Sequence, residues 1–482
     1  MAELARRAGL RTLWDLSLVG SNPTLGILKF MEINPFIFRA YDIRGVFGKD
    51  LTKEVFQKIG FVIGKKGEKV LVGQDIRTHG KILSQGLISG LQKQKSKVFY
   101  CGKCSFGLCL FSGQKIKADK ILFITASHLS SEWNGLKPFH GDGEPFSSKE
   151  IERIKNKVLK IWVRKIEFKK PKPKTINLKR EYILDLLKKF PLVRKANLKI
   201  VADYGNGSVG LVGPKTFEAF GLKTINLFFE PNSNFPNRLP EPNFEATKIL
   251  REKVIKEKAD FGVAFDGDGD RGIIIDDKGR YLSGNQVGII LGKFLLKEEK
   301  RKKIVKTVAC SMAVEDELGA LGAKIIESPV GHNFVISNCK KEKAILGIEE
   351  SSHIVMPKYY LFDDAILIPL KIAEILVKTG KKLSEIVDGI KIYPFEEIVF
   401  DCPDEKKFLV VDKLKEAFLE KYSNISFLDG IKVNFDSGWV LIRASNTSPK
   451  IRLYVEAKTK EKLEKIKKEF SENLSLWIQQ LS

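Results

Sequence analysis

The sequence predicts an α/β protein: three similar α/β domains with mostly parallel sheets, followed by a C-terminal α+β domain. Three observations predict it. A chain of 482 residues exceeds the usual size of one domain. Six segments share one design, an apolar, β-favouring run that stops abruptly in small and polar residues. They are Val70–Arg77, Ile121–His128, Leu198–Gly207, Phe261–Arg271, Ile304–Met312 and Ala344–His353. Runs without alternation fit strands buried on both faces, as in parallel sheets covered by helices. From Pro394 the design changes to strand-like stretches at Ile431–Phe435, Gly438–Ala444 and Lys450–Ala457, then a long charged helix from Lys460.

Taken in order, residues 1–33 form an N-terminal extension outside the fold. Its first 30 residues combine Arg6, Arg7 and Arg11 with Leu10, Leu13, Trp14 and Leu16, as in a transit peptide, but also carry Glu3 and Asp15. An extension upstream of a start at Met31 is the other reading. The six segments pair into domains at 34–174, 175–283 and 284–393, and residues 394–482 form the α+β domain. The Lys/Pro stretch Lys169–Lys174 and a loop around Arg280–Gly284 separate the pairs. Helical patterns intervene at Lys81–Gln94 and Pro214–Phe220, and Lys297–Lys306 also reads as helix-like. In open parallel sheets ligands sit beyond the carboxyl ends of the strands, so all six polar ends are candidate site loops.

Composition narrows the classes. Lys and Arg number 83 against 59 Asp and Glu, a net charge of +24, which favours anionic partners. The Lys residues are dispersed without interleaved aromatics, so a solvated basic surface is expected rather than a nucleic-acid groove. No apolar run approaches the roughly 18 residues that would span a bilayer. We expect a cytoplasmic protein without membrane or nucleic-acid partners. Six Cys are too few and too uneven for a disulfide framework. Cys101, Cys104 and Cys109 form C-x2-C-x4-C, but no second CxxC or nearby HxxxH completes a metal set. Their apolar surroundings predict thiols packed as small hydrophobes.

The chemistry sits at the strand ends. Asp266-Gly-Asp268-Gly-Asp270-Arg271 follows a buried run, so three carboxylates at alternate positions can converge on one hard cation such as Mg2+. A calcium loop of the EF-hand kind would need Gly and Glu where Arg271 and Asp277 stand. Thr125-Ala126-Ser127-His128 places a hydroxyl beside an imidazole on a strand-to-loop turn, suited to a nucleophile or phosphate carrier. Trp133-Asn134-Gly135-Leu136-Lys137 brings a cation into the same loop. Gly347–His353 offers Glu349 and Ser351 for sugar hydroxyls and His353 for proton transfer, with a helix N-cap as its structural alternative. His332 in Pro329–His332 is ambiguous alone. Arg443-Ala-Ser445-Asn446-Thr447-Ser-Pro449 reads as an anion cradle, with a guanidinium and a row of donors.

In this order and spacing the residues resemble the α-D-phosphohexomutase superfamily, which includes phosphomannomutase/phosphoglucomutase and phosphoglucosamine mutase. The resemblance runs from about Phe36 to the C-terminus. It rests on Phe38–Gly45, Val72–Arg77, Thr125–Lys137, Asp203–Gly207, Phe235–Pro240, Asp266–Arg271, Pro329–His332, Glu349-x-Ser351-x-His353 and Arg443–Pro449. It implies four domains around a central cleft. Ser127 would carry a phosphoryl group, and Mg2+ would be held by Ser127, Asp266, Asp268 and Asp270. Arg271 and His128 would lie beside the phosphoserine. His332, Glu349, Ser351, Arg443, Ser445, Asn446 and Thr447 would bind substrate. Lys137 and His353 would transfer protons, supported by Tyr41 and Arg44.

The implied reaction moves phosphate between the 1- and 6-positions of mannose or glucose phosphate, with hexose 1,6-bisphosphate as intermediate and activator. Phosphoglucosamine mutase and an inactive sugar-phosphate-binding paralogue are the alternatives. The sequence departs from the family pattern at Leu129-Ser130 (usually Asn-Pro), Trp133 (usually Tyr) and Ser105-Phe106 (commonly Thr-Pro). Ile348 and Ser352 stand where Gly is frequent.

Overall fold

The computed structural model describes residues 33–445 and 449–481. The N-terminal readings therefore fall almost entirely outside the described residues, as do Asn446 and Thr447. Four sheets follow one another along the chain. The first contains β1 (Ile43–Val46), β2 (Lys69–Gln74), β3 (Lys97–Lys103), β4 (Lys120–Ile124), β5 (Trp133–His140) and β6 (Lys174–Thr175), in the order β1-β5-β4-β2-β3-β6. The second contains β7 (Lys199–Asp203), β8 (Lys223–Leu227), β9 (Phe261–Phe265), β10 (Gly272–Asp276) and β11 (Tyr281–Leu282), ordered β11-β10-β9-β7-β8. The third has β12 (Lys303–Thr307), β13 (Lys324–Ser328), β14 (Leu346–Ile348) and β15 (Ile354–Val355), ordered β13-β12-β14-β15. Within these sheets β2, β7 and β12 are central and pair in parallel with both neighbours.

The fourth sheet is wholly antiparallel. It orders β16 (Phe395–Asp401), β17 (Ile425–Ser426), β18 (Ile431–Phe435), β19 (Gly438–Ala444) and β20 (Lys450–Ala457) as β16-β20-β19-β18-β17. The helix Lys460–Leu481 packs on it. The architecture is thus three α/β domains and an α+β domain, and each of the six apolar runs contains a strand.

Burial explains why those strands were legible. β9 is buried at all five positions, and β2, β4, β7 and β12 at all but their first, so neither face alternates with solvent. One continuous apolar core runs through the first three domains, including Leu71, Phe217 and Leu370, while the fourth has its own, around Leu414, Leu453 and Phe470. A small cluster of Val308, Ala309, Trp439, Leu441 and Tyr454 joins the fourth domain to the third.

Two readings change. Lys297–Lys306 is not one helix. The helix Gly284–Glu298 ends there, the Glu299 N–H donates to the Leu295 carbonyl, and Lys303 opens β12. Lys residues tolerate helix and exposed strand alike, so composition carried no boundary. Trp133–Lys137 is not loop either, but the start of β5, antiparallel to β4 with Lys137 opposite Phe123. The candidate cation therefore stands on a strand beside the serine loop. The loop around Arg280–Gly284 contains the two residues of β11, and Gly284 begins a helix capped by Ser283.

Candidate active site

β4 ends at Ile124, and Thr125 and Ala126 lead into Ser127, whose φ of 52° is left-handed. That conformation costs a residue with a Cβ roughly 1–2 kcal/mol, so its surroundings must enforce it. The Ser127 N–H donates to Thr125 Oγ1 (2.8 Å). Arg77, fully buried and paired to Asp75 (3.0 Å), donates to the carbonyl oxygens of Ser127 (3.0 Å) and Trp133 (3.1 Å), and to those of Leu129 and Ser130. Because Arg77 grips carbonyls, Leu129 and Ser130 can replace Asn-Pro without releasing the loop.

The acidic loop is the turn between antiparallel β9 and β10. Asp266 Oδ1 accepts the N–H groups of Gly269 (2.9 Å) and Arg271 (3.2 Å), and Ser127 Oγ donates to Asp266 Oδ2 (3.1 Å). The two loops touch through backbone: a Cβ on Gly267 would lie 2.5 Å from the Ser127 carbonyl oxygen. Gly267→Ala is therefore expected to destabilise the protein by about 1–3 kcal/mol, as overpacking does. It should also lower turnover. An unchanged melting temperature and full activity would show that the loops do not need this approach.

Asp266, Asp268 and Asp270 are fully buried, each offering an oxygen within 4.8 Å of the others. Lys137 Nζ donates to Asp268 Oδ2 (2.9 Å) and to Asp270 Oδ2. Burial opposes its charge, but Asp268 and Asp270 outweigh that and push the Lys137 ammonium up. Burial likewise works against the Asp268 carboxylate, yet Lys137 brings it down to about 2. Asp266 is pushed well up by burial, then by Asp270 and Asp268. Arg271 Nε sits 3.3 Å from Asp266 Oδ2. Asp268 Oδ1 and Asp270 Oδ1 are buried with no hydrogen-bond partner. Oxygen atoms so placed fit a hard cation.

Facing these loops are the ends of β14 and of the third domain's helices. Gly347–His353 is no helix N-cap; Glu349–His353 is a tight turn between antiparallel β14 and β15, with Ser352 at φ 70°. Ser351 Oγ donates to Glu349 Oε1 (2.5 Å), and Glu349 Oε2 accepts the Gly331 N–H (2.9 Å). His332 opens the helix His332–Glu342 and stacks on His353, ring centroids 4.7 Å apart. Both Nδ1 atoms meet one carboxylate oxygen, Asp363 Oδ2, at 3.0 and 2.5 Å. With Asp363 ionised, each Nδ1 donates toward that one oxygen, and each Nε2 is turned away from it. Burial raises the Asp363 carboxyl, but the two imidazoles prevail and hold it down.

From the first domain, Arg44 Nε pairs with Asp42 Oδ2 (2.6 Å), and burial pushes the Tyr41 hydroxyl up. His128 is driven well down by burial and then by Arg271, so its ring is neutral. From the fourth domain, Arg443 Nε meets Asp429 Oδ2 (2.8 Å), which also accepts the Val330 N–H (2.9 Å). Ser445 lines the same space.

That space is a cavity of about 160 Å3 reached by residues of all four domains, among them Arg44, Ser127, Lys137, Arg271, His353 and Arg443. A second of about 290 Å3 adjoins it, sharing Arg271, Glu349, Ser351, Arg452 and Tyr454. A larger groove of about 850 Å3, lined by Arg39, Arg153 and Phe408, gathers none of the predicted site residues. The structure thus brings the described candidates together. Asp363 and Arg452 escaped the sequence reading, although Asp363-Asp364 beside the aromatic Tyr359–Phe362 was a polar signal, and Arg77 was read within its motif without a role.

Glu350 in the second cavity is pushed up to about 7 by burial, then by Glu397 and Glu349. Its folded value lies above the ordinary one near 4.5, so stability falls as pH rises from about 4.5 to 7 and stays lost above. Glu350→Gln is expected to stabilise the protein by about 3 kcal/mol at pH 8, with the gain vanishing near pH 4.5. Denaturation midpoints at the two pH values test this, and an equal shift at both would contradict it.

Four domains thus contribute to one cleft, the arrangement that the family resemblance implies. Profiles of the phosphoglucomutase/phosphomannomutase family match its alpha/beta/alpha domains I, II and III at residues 35–164, 180–279 and 283–393, and its C-terminal domain at 397–473. The chain belongs to this family. It is 32% identical to a probable phosphoglucosamine mutase of Methanosarcina acetivorans, covering 90% of this chain and 99% of the relative. It is 33% identical to a phosphoglucomutase/phosphomannomutase of Thermococcus kodakarensis, covering 88% and 95%. The crystal structure of a phosphoglucomutase/phosphomannomutase family protein from Burkholderia thailandensis superposes with a TM-score of 0.81 at 25% identity, covering 92% of this chain and 98% of that one.

Proposed function

We propose that the chain interconverts hexose 1-phosphate and hexose 6-phosphate, with mannose or glucose as the sugar, through phosphorylated Ser127 and a hexose 1,6-bisphosphate. The observation that carries this is the approach of Ser127 Oγ to Asp266 Oδ2, with Ser127 lining the same cavity as Glu349, Ser351 and Arg443. Ser127, Asp266, Asp268 and Asp270 would hold Mg2+. When bound, the ion supplies charge stabilisation at a phosphoryl oxygen.

The chain's own groups supply positioning and proton transfer. The P–O bond to Ser127 breaks as one forms to the free sugar hydroxyl, whose proton passes to His353 Nε2. The Lys137 ammonium donates a proton to the departing Ser127 oxygen. Arg271 neutralises charge on the transferring group, as phosphoryl transfer requires. Arg443 and Ser445, with Asn446 and Thr447, bind the phosphate that does not react, and Glu349 with Ser351 reads the sugar hydroxyls. The bisphosphate then reverses end for end, and Ser127 recovers a phosphoryl group from the other position. The fourth domain, with its separate core, closes over the cleft to exclude water.

An amino sugar is the second reading, because Glu241, Glu349, Glu350 and Glu397 line the adjoining cavity and would attract an ammonium. Comparing kcat/KM for mannose 1-phosphate, glucose 1-phosphate and glucosamine 1-phosphate, with Mg2+ and a trace of the matching bisphosphate, decides. Preference for either neutral hexose supports the first reading, and preference for glucosamine phosphate replaces it with the second. Inactivity of folded protein on all three leaves a sugar-phosphate-binding role.

A further inference from the structure

Cys101 stands on β3, Cys104 precedes the helix Phe106–Lys115 that Ser105 caps, and Cys109 lies on that helix. Strand, loop and helix turn the three side chains inward on one another. Cys101 Sγ is 3.5 Å from Cys104 Sγ and 3.7 Å from Cys109 Sγ, and all three sulfurs lie within 4.8 Å of one another. Gly73 at the end of β2, having no side chain, lets the three sulfurs close in on its backbone. A Cβ there would sit 2.5, 2.8 and 3.3 Å from the sulfurs of Cys109, Cys101 and Cys104. A side chain at 73 would force the three sulfurs away from this common position.

We propose that Cys101, Cys104 and Cys109 form a trithiolate site for one thiophilic d10 metal ion of the Zn2+ class, separate from the carboxylate cluster. Zinc–thiolate bonds of about 2.3 Å at tetrahedral angles place sulfurs about 3.8 Å apart. The Cys101–Cys104 and Cys101–Cys109 separations lie within a few tenths of an ångström of that. A disulfide needs about 2.05 Å, so one pair would have to close by roughly 1.5 Å and strand the third thiol.

Cys101 is only half-buried and gives the ion its entry, whereas Cys104 and Cys109 are enclosed. The fourth position is left to water or a neighbouring carbonyl; those of Val72 and Gly102 already lie 3.5 and 3.7 Å from Cys101 and Cys104 sulfurs. The site also touches the cleft through backbone. The Cys104 N–H donates to the Gln74 carbonyl and the Phe106 N–H to that of Asp268, both at 2.9 Å. A bound ion would thus brace the segment on which the acidic loop rests.

The test uses the full chain, reduced with a phosphine and held in excess Mg2+ so that the carboxylates are occupied. Co2+ is expected to give thiolate-to-metal charge-transfer absorption, displaced by one equivalent of Zn2+. Cys101→Ser and Cys109→Ser should each weaken Zn2+ binding by about 100-fold or more, while Asp268→Asn and Cys339→Ser leave it unchanged. Thermal melts show which variants fold; should Cys109→Ser fail, Cys101→Ser at the half-buried position carries the comparison. Absence of the charge-transfer band would overturn the proposal, as would its survival in folded Cys101→Ser. A Cys101–Cys104 disulfide in the purified chain that takes up no metal after reduction would overturn it too, in favour of a redox pair.

Discussion

Ser127→Ala is expected to lower turnover by on the order of 10^6-fold, the loss typical of removing a covalent nucleophile. Stability should hardly change. The serine loop is gripped by Arg77 through backbone carbonyls, and the Ser127 hydroxyl makes one bond, to Asp266. Losing it costs about 1 kcal/mol, and alanine bears the same left-handed strain as serine. A coupled mutase assay beside a thermal melt therefore separates chemistry from folding. Residual turnover of a few per cent in folded Ser127→Ala would show that the phosphoryl group rides elsewhere.

Asp363→Asn has the second largest effect, a fall in kcat of about 10^3–10^4-fold, comparable to losing the carboxylate that fixes a catalytic imidazole. Asp363 Oδ2 receives the Nδ1 atoms of both His332 and His353. An amide cannot accept from both through one oxygen and keep its own NH2 satisfied in a buried site, so at least one ring reverses its tautomer. His353 then turns a donor toward the substrate hydroxyl where the proposed step needs an acceptor. KM should move by only a few-fold, because Glu349, Ser351 and Arg443 are untouched. A kcat within tenfold of wild type would assign Asp363 a structural role alone.

These two residues mark what was legible in the sequence. Ser127 sits where an apolar run breaks into Thr-Ala-Ser-His, a local signal. Asp363 acts by holding other side chains, and neither spacing nor neighbours announce which imidazoles it will meet. Arg77 was visible within its motif, but its partners are carbonyls of a loop some 50 residues on, which no side-chain pattern encodes. The strands divide the same way. β9, and β7 after Lys199, are continuous buried runs, whereas β3, β8 and β13 are mostly half-buried and carry a weaker pattern. β5 was hidden because its first five residues read as motif. The cysteines show the converse limit: C-x2-C-x4-C crosses from strand to helix, so its convergence on Gly73 appears only once β2 lies alongside.

The central claim is that Ser127 carries the phosphoryl group between the two positions of the sugar. It is tested most directly by loading the protein with hexose 1,6-bisphosphate labelled in its phosphates, then chasing with unlabelled hexose 1-phosphate. The account predicts one label per chain, on Ser127 by peptide mapping, which leaves as hexose bisphosphate at least as fast as steady-state turnover. A label on another residue, or one on Ser127 that chases more slowly than turnover, would contradict it.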